Sequence, residues 1–227
     1  MPEALRLVVF DVDGTLVDSR AHIVQAMEDA FLALDLPCPS REAVLHGVGL
    51  SLPELMAQLV PEHPSATHLA LAEGYKSASF ARHVAAGDAG SAVFFPGMRA
   101  VLDHLRSDDF TLMATATGMS RRGLDRIIAQ HGLEGYFQSM QVADTHPSKP
   151  HPSMLHAALR DAGVAAQNAV MIGDTSYDML MAKAAGTDAI GVTWGNHAPD
   201  LLAEADVTVN TAEELMTALE HWIEDRA

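Results

Sequence analysis

Four aspartates, one lysine and one threonine carry the chemistry legible in this sequence. Asp11 and Asp13 stand one residue apart, directly after the apolar run Leu7-Val8-Val9-Phe10 and just before Gly14. Two carboxylates held that close repel each other unless a cation or a shared proton relieves them. Asp174 and Asp178 follow a second apolar run, Ala169-Val170-Met171-Ile172-Gly173. Thr117 and Gly118 end a third run, and Lys149 stands in Ser148-Lys149-Pro150. Clustered carboxylates suit Mg2+, which takes oxygen ligands and keeps some waters. A lysine, a threonine and the backbone N–H groups after Gly118 can hold phosphate oxygens. A carboxylate nucleophile, a carboxyl proton shuttle, a metal and a fixed cation are what phosphoryl transfer requires.

The apolar runs are too short for typical helices and read as buried strands. In a parallel sheet their carboxyl ends share one edge, where open α/β folds place their ligands. Taken singly, Asp13-Gly14 reads as a turn, Thr117 as a capping hydroxyl and Lys149 as a solvated loop residue. Asp174 and Asp178 could simply favour a helix N-terminus. Their joint placement at strand ends is what argues for a site.

The chain between these residues reads as two kinds of unit. A helix follows from Arg20 to about Leu34, capped by Asp18 or Ser19 and ended by Pro37 and Pro39, with Ile23, Met27, Ala30, Phe31 and Leu34 on one face. One stripe through Leu52, Leu55, Met56 and Leu59 and another through Leu69, Leu71, Tyr75 and Phe80 continue the helical character to about residue 89. Residues 16–91 therefore read as an all-helical insertion of about four helices. From Phe94-Phe95-Pro96-Gly97 onward the pattern is strand–helix alternation. Strands are predicted at 111–117, 140–143, 169–173, 189–193 and 207–209, with helices at 97–106, after Ser120 to Gly132, at 154–159, 177–185 and 212–223. Repeated units of this length make a doubly wound parallel sheet. The predicted fold is thus an α/β, Rossmann-like core formed by residues 1–15 and 92–227, with a helical cap at 16–91.

Bulk composition bounds the partners. At 227 residues, 48% of them apolar, the chain can form one domain plus a smaller one. A formal net charge of −16 argues against nucleic acid or an anionic membrane surface. The lone cysteine, Cys38, fits a reducing compartment, and no signal peptide or membrane-length apolar run is read; a cytoplasmic location is expected. His146, His151 and His156 step by five residues with prolines between, unlike the i, i+4 spacing of a helical metal site.

Asp11-Val12-Asp13-Gly14-Thr15-Leu16-Val17-Asp18-Ser19 resembles the first motif of the haloacid dehalogenase (HAD) superfamily phosphatases. Thr117-Gly118, Lys149-Pro150 and Gly173-Asp174-Thr175-Ser176-Tyr177-Asp178 match the second to fourth motifs in order. The helical insertion after motif one resembles the cap of the phosphoglycolate phosphatase-like subgroup. Met119 departs from the Lys or Asn that relatives often carry there.

The resemblance implies Asp11 as nucleophile and Asp13 as proton shuttle. It implies Thr117, Gly118 and Lys149 on the phosphoryl group, and Mg2+ held by Asp11, the Asp13 backbone carbonyl and Asp174. Asp178 would assist the metal through water or from behind its ligands. Asp13, absent from the dehalogenase and phosphonate-cleaving branches, implies phosphate-ester or phosphomutase chemistry. The implied activity is a phosphoric monoester hydrolase acting on a small phosphorylated metabolite, phosphoglycolate first, in a monomer or homodimer. A β-phosphoglucomutase-like mutase and a phospho-acceptor signalling module are the alternatives. The segment His46-Gly47-Val48-Gly49-Leu50-Ser51 resembles the substrate-specificity loop of this cap type, and Arg20, His22 and Arg41 are further possible substrate contacts.

Overall fold

A computed structural model of the chain describes residues 4–86 and 92–226. The first three residues and the expected end of the insertion at 87–91 lie outside the described residues. In chain order the elements are β1 (Arg6–Phe10), β2 (Val17–Asp18), α1 (Arg20–Leu32), α2 (Arg41–His46), α3 (Leu52–Leu59), α4 (Ser65–Ala86), β3 (Val93–Phe94) and α5 (Met98–Arg106). There follow β4 (Thr111–Thr117), α6 (Arg121–His131), β5 (Ser139–Val142), α7 (Ser153–Ala162), β6 (Ala169–Gly173), α8 (Ser176–Ala185), β7 (Asp188–Val192), β8 (Val207–Val209) and α9 (Ala212–Glu224).

Six strands form one sheet in the order β5-β4-β1-β6-β7-β8, and every neighbouring pair is parallel. β1 lies in its interior, and its side chains alternate between the two faces. Val8 and Phe10 join the cluster that holds Leu102 and Leu105 of α5 and Leu219 of α9. Leu7 and Val9 join Met154 and Leu155 of α7 and Met179 of α8. All four are fully buried, and each contributes about 1.5–3 kcal/mol by leaving water. The central strand is therefore held rigidly from both sides, and so is whatever follows Phe10.

Helices α1 to α4 share a separate apolar cluster that includes Ile23, Met27, Phe31, Val44, Met56 and Leu71. The segment that carries them is rooted by a two-stranded antiparallel ribbon, Val17–Asp18 against Val93–Phe94. That pairing is an addition to the purely helical expectation for 16–91. It arises because the chain leaves the sheet and returns to it side by side.

Three positions differ from the expected apolar stripes: Leu34, Leu69 and Phe80 are exposed. α1 ends at Leu32 and the turn closes on Asp35 at φ 55°, before either proline, so Leu34 lies beyond the helix. The Asp18 carboxylate accepts from Arg20 N at 3.2 Å, whereas Ser19 makes no side-chain cap bond.

Candidate active site

The ends of β1, β4 and β6 come together as the parallel register requires. Asp11 N donates to Ile172 O at 2.9 Å, so the first residue past β1 is tied to its neighbour β6. The chain then turns tightly, with Leu16 N and Val17 N both donating to Val12 O. Gly14 sits in this turn at φ 89°, and a Cβ there would stand 2.2 Å from Asp174 Oδ2. Conformation and space both demand glycine. Thr15 Oγ1 donates to Asp174 Oδ1 at 2.9 Å, joining residues 159 positions apart.

Asp174 is fixed on its other oxygen by Asn196, whose backbone N and side-chain Nδ2 donate at 2.7 and 2.9 Å. Asp178 closes a capping box on Thr175 at the start of α8. Its Oδ2 accepts from Thr175 N and Oγ1, and its Oδ1 accepts from Lys149 Nζ at 2.7 Å. Lys149 Nζ also stands 2.9 Å from Asp11 Oδ1. That contact is an ion pair outside good hydrogen-bond geometry, and both Asp11 oxygens are otherwise buried without a partner.

Asp11, Asp174 and Asp178 bring one oxygen each within 4.8 Å of one another, all buried. Three carboxylates thus face one ammonium away from water. Burial pushes the Asp11 carboxyl up to about 8, against the pull of Lys149. It pushes Asp174 up to about 7, with Asp178 adding to the rise. Burial alone would lower the Lys149 ammonium, but the two carboxylates beside it raise it and keep it charged. Two orphaned Asp11 oxygens beside two further buried carboxylates, in excess of positive charge, fit a divalent cation such as Mg2+.

Asp11 and Asp13 open onto a cavity of about 500 Å³, together with Thr117 and Gly118. Lys149 and Asp174 lie behind Asp11 and do not line it. Asp13 is partly buried, and burial pushes its carboxyl up, as a group that must donate a proton near neutral pH requires. Thr117 Oγ1 accepts from Met119 N at 3.2 Å. All seven residues expected from the sequence therefore fall in one place, four on the cavity and three behind it. The metal-competent cluster is built with the side chain of Asp178, whereas Asp13 faces the cavity.

The far wall belongs to α1, α4 and the loop after α2. That loop packs on the core so closely that a Cβ on Gly118 would stand 2.6 Å from the carbonyl oxygens of Gly49 and Leu50. Ser51 N donates to Ser148 Oγ at 2.8 Å across the same seam. Of the further contacts expected, His22 lines the cavity, whereas Arg20 is held by Asp18 at 2.9 and 2.5 Å. Arg41 is exposed. His146 bonds Ser153 and Gln141 at 2.8 Å each.

Sequence reasoning missed Asn196 and His197. Both follow β7, so the strand-end rule that found Asp174 could have found them. His197 is 3% exposed. Its Nδ1 accepts from Ser176 N at 3.1 Å and its Nε2 donates to His46 O at 2.8 Å. The two imidazoles stack with centroids 4.6 Å apart. The ring thus ties the start of α8 to the end of α2, and it can do so only when neutral. Burial lowers its pKa. A depressed folded value means this stability is present above the free value of about 6.5 and is lost as pH falls below it. Thermal melts between about pH 7.5 and 5 should show wild type losing more stability than His197→Gln, which cannot titrate; equal slopes would refute the tie.

A family model described as haloacid dehalogenase-like hydrolase matches residues 8–192. The "Probable phosphatase IndB" of Dickeya dadantii is 38% identical over 93% of this chain and 92% of that protein. A "Phosphoglycolate phosphatase" of Pseudomonas putida is 33% identical over 88% of this chain and 74% of its own length. In fold, a predicted phosphatase from Clostridium acetobutylicum superposes with a TM-score of 0.84, covering 96% of this chain and 99% of that one at 23% identity.

Proposed function

The chain belongs to the haloacid dehalogenase-like hydrolase family and is a phosphatase, and from that premise we propose that it hydrolyses a small phosphorylated metabolite, phosphoglycolate first among them, with Mg2+ as cofactor. The observation that carries this reading is the division of labour between two neighbouring carboxyls. Asp11 is buried against Lys149, and Asp13 faces the cavity with its carboxyl raised.

Asp11 attacks phosphorus; its oxygen–phosphorus bond forms as the ester P–O bond breaks. Asp13 gives its proton to the departing alkoxide, then takes one from the water that attacks the aspartyl-phosphate. That second attack frees Asp11 and releases phosphate. Thr117, Gly118 and Lys149 hold the oxygens of the transferring group, and Lys149 also favours the ionised form of Asp11 against its burial. Asp11, Asp174 and the Asp13 backbone carbonyl would hold Mg2+, which would supply neutralisation of charge on the phosphoryl oxygens. Asp178 holds Lys149 and supports the ligand set from behind. Residues 16–91 act as a lid that keeps bulk water from the intermediate, rooted at the β2–β3 ribbon. The single cysteine is consistent with a cytoplasmic setting.

The test is a panel of small phosphate esters assayed with and without Mg2+. Phosphate release from 2-phosphoglycolate that needs Mg2+ is the expected result. Isomerisation of glucose 1-phosphate without free phosphate would replace the reading with a mutase. A long-lived phosphoprotein without turnover would replace it with a signalling module.

A further inference from the structure

One wall of the cavity carries a charge that no carboxylate among the described residues answers. Among the described arginines withdrawn from solvent, Arg6, Arg20, Arg82 and Arg226 each pair with an aspartate: Asp108, Asp18, Asp29 and Asp188. Arg126, on α6, is the exception. It lines the same cavity as Asp11 and Asp13, and its Nη1 is buried with no hydrogen-bond partner. Burial and the neighbouring Arg122 both act against its charge. Leaving a buried donor of a charged group without a partner is costly.

The surroundings leave the guanidinium available. Arg122 is engaged over the Phe80 ring at 3.8 Å. The other charges on this wall, Glu73 and Lys76, neutralise each other at 2.8 Å. His22 is bonded to Ser79 Oγ at 2.8 Å, and Arg126 is among the charges that hold its pKa low. Nothing anionic on α1, α4 or α6 meets Arg126 among the described residues, whereas the cavity extends well past the space a phosphoryl group fills.

We propose that Arg126 is a specificity-determining residue that binds a second anionic group, on the alcohol side of the phosphate ester. The substrate class is then a phosphate ester whose leaving alcohol carries a carboxylate or another phosphate, since a guanidinium recognises either through paired N–H donors. A neutral alcohol leaves the Arg126 donor unanswered and is selected against. This inference rests on the phosphatase reading and adds to it the charge that the leaving group must bear.

The experiment compares kcat/KM for three esters in the full-length protein with Mg2+: 2-phosphoglycolate, glycerol 1-phosphate and fructose 1,6-bisphosphate. Wild type should prefer one of the two doubly anionic esters over the glycerol ester, and which one identifies the group as carboxylate or phosphate. In Arg126→Met that preference, read as the ratio of kcat/KM values, should fall by about 10- to 100-fold, mainly through KM. Arg126→Lys should restore part of it. A ratio that stays fixed in Arg126→Met, or a wild type that prefers the neutral ester, would overturn the inference while leaving the phosphatase intact. Hydrolysis of none of the three would instead count against the phosphatase reading beneath it. Circular dichroism separates misfolding from lost selectivity, and the neutral Arg126→Gln, which should lose the preference as Arg126→Met does, decides the matter if Arg126→Met does not fold.

Discussion

Asp11→Asn should lose phosphate release by at least about 10³-fold in kcat, on the order of 4 kcal/mol or more of barrier, while its fold becomes no weaker. The amide has the shape of the carboxylate but no charge, and its oxygen is a poor nucleophile toward phosphorus. The covalent route is therefore closed, while the packing around Phe10 and the bond from Asp11 N to Ile172 O stay in place. Stability should respond in the opposite sense. Without metal, three buried carboxylates face one ammonium, and burial holds Asp11 at about 8. A folded pKa raised above the free value means that stability is fully present below the free value and is lost as pH rises from there through the folded value. The metal-free wild type should therefore weaken progressively between about pH 4 and 8. Asp11→Asn should weaken less, with Asp174, at about 7, supplying the slope that remains. Melting curves at both pH values, with and without Mg2+, and a phosphate-release assay give the three readings. Release at a tenth of the wild-type rate or faster would remove Asp11 from the chemistry.

The candidate site was legible because of where its residues sit on the strands. Short apolar runs that stop at Asp11, Thr117 and Asp174 mark buried strands and the edge at which they end. The parallel order around β1 then does the rest. What sequence could not give depends on contacts between segments far apart in the chain. Asn196 is ordinary until a turn lays it on Asp174, and Arg126 is one of several arginines until burial leaves its donor unanswered.

The stripe through Leu52, Leu55, Met56 and Leu59 packs as expected, whereas the stripe along α4 held only in part, for a different reason. At about 100° per residue, Phe80 lies about 180° around α4 from Leu71, so the two cannot face the same neighbour. Leu71 is buried among α1 and α3, and Phe80 instead faces the cavity beneath Arg122. Hydrophobicity identified a helix there, and the angle between its apolar residues, not their count, tells which of them the core receives.

Lys149→Met should damage both stability and turnover, and the stability loss is the more telling. Lys149 Nζ stands 2.9 Å from Asp11 and 2.7 Å from Asp178, and all three side chains are 0–1% exposed. Breaking a buried pair by removing one partner leaves an uncompensated charge and costs about 3–5 kcal/mol. Here one lysine answers two carboxylates, so the upper part of that range is expected in urea unfolding at neutral pH. A surface pair such as Arg121 with Asp125, half-exposed on both sides, is worth about 0–1 kcal/mol by comparison. Turnover should fall by about 10³-fold or more, because the ammonium both favours the ionised form of Asp11 and serves the phosphoryl oxygens. Lys149→Arg should not rescue either property: its planar fork is longer and cannot occupy a point between two carboxylates packed for an ammonium. Adding Asp178→Asn to Lys149→Met separates the two roles. The double variant should regain part of the lost stability, since one of the abandoned charges is gone, and none of the activity, since Asp11 still lacks its cation. A stability loss below about 1 kcal/mol in the single variant, or additive effects in the double, would show that the buried triad is not the electrostatic unit on which this site is built.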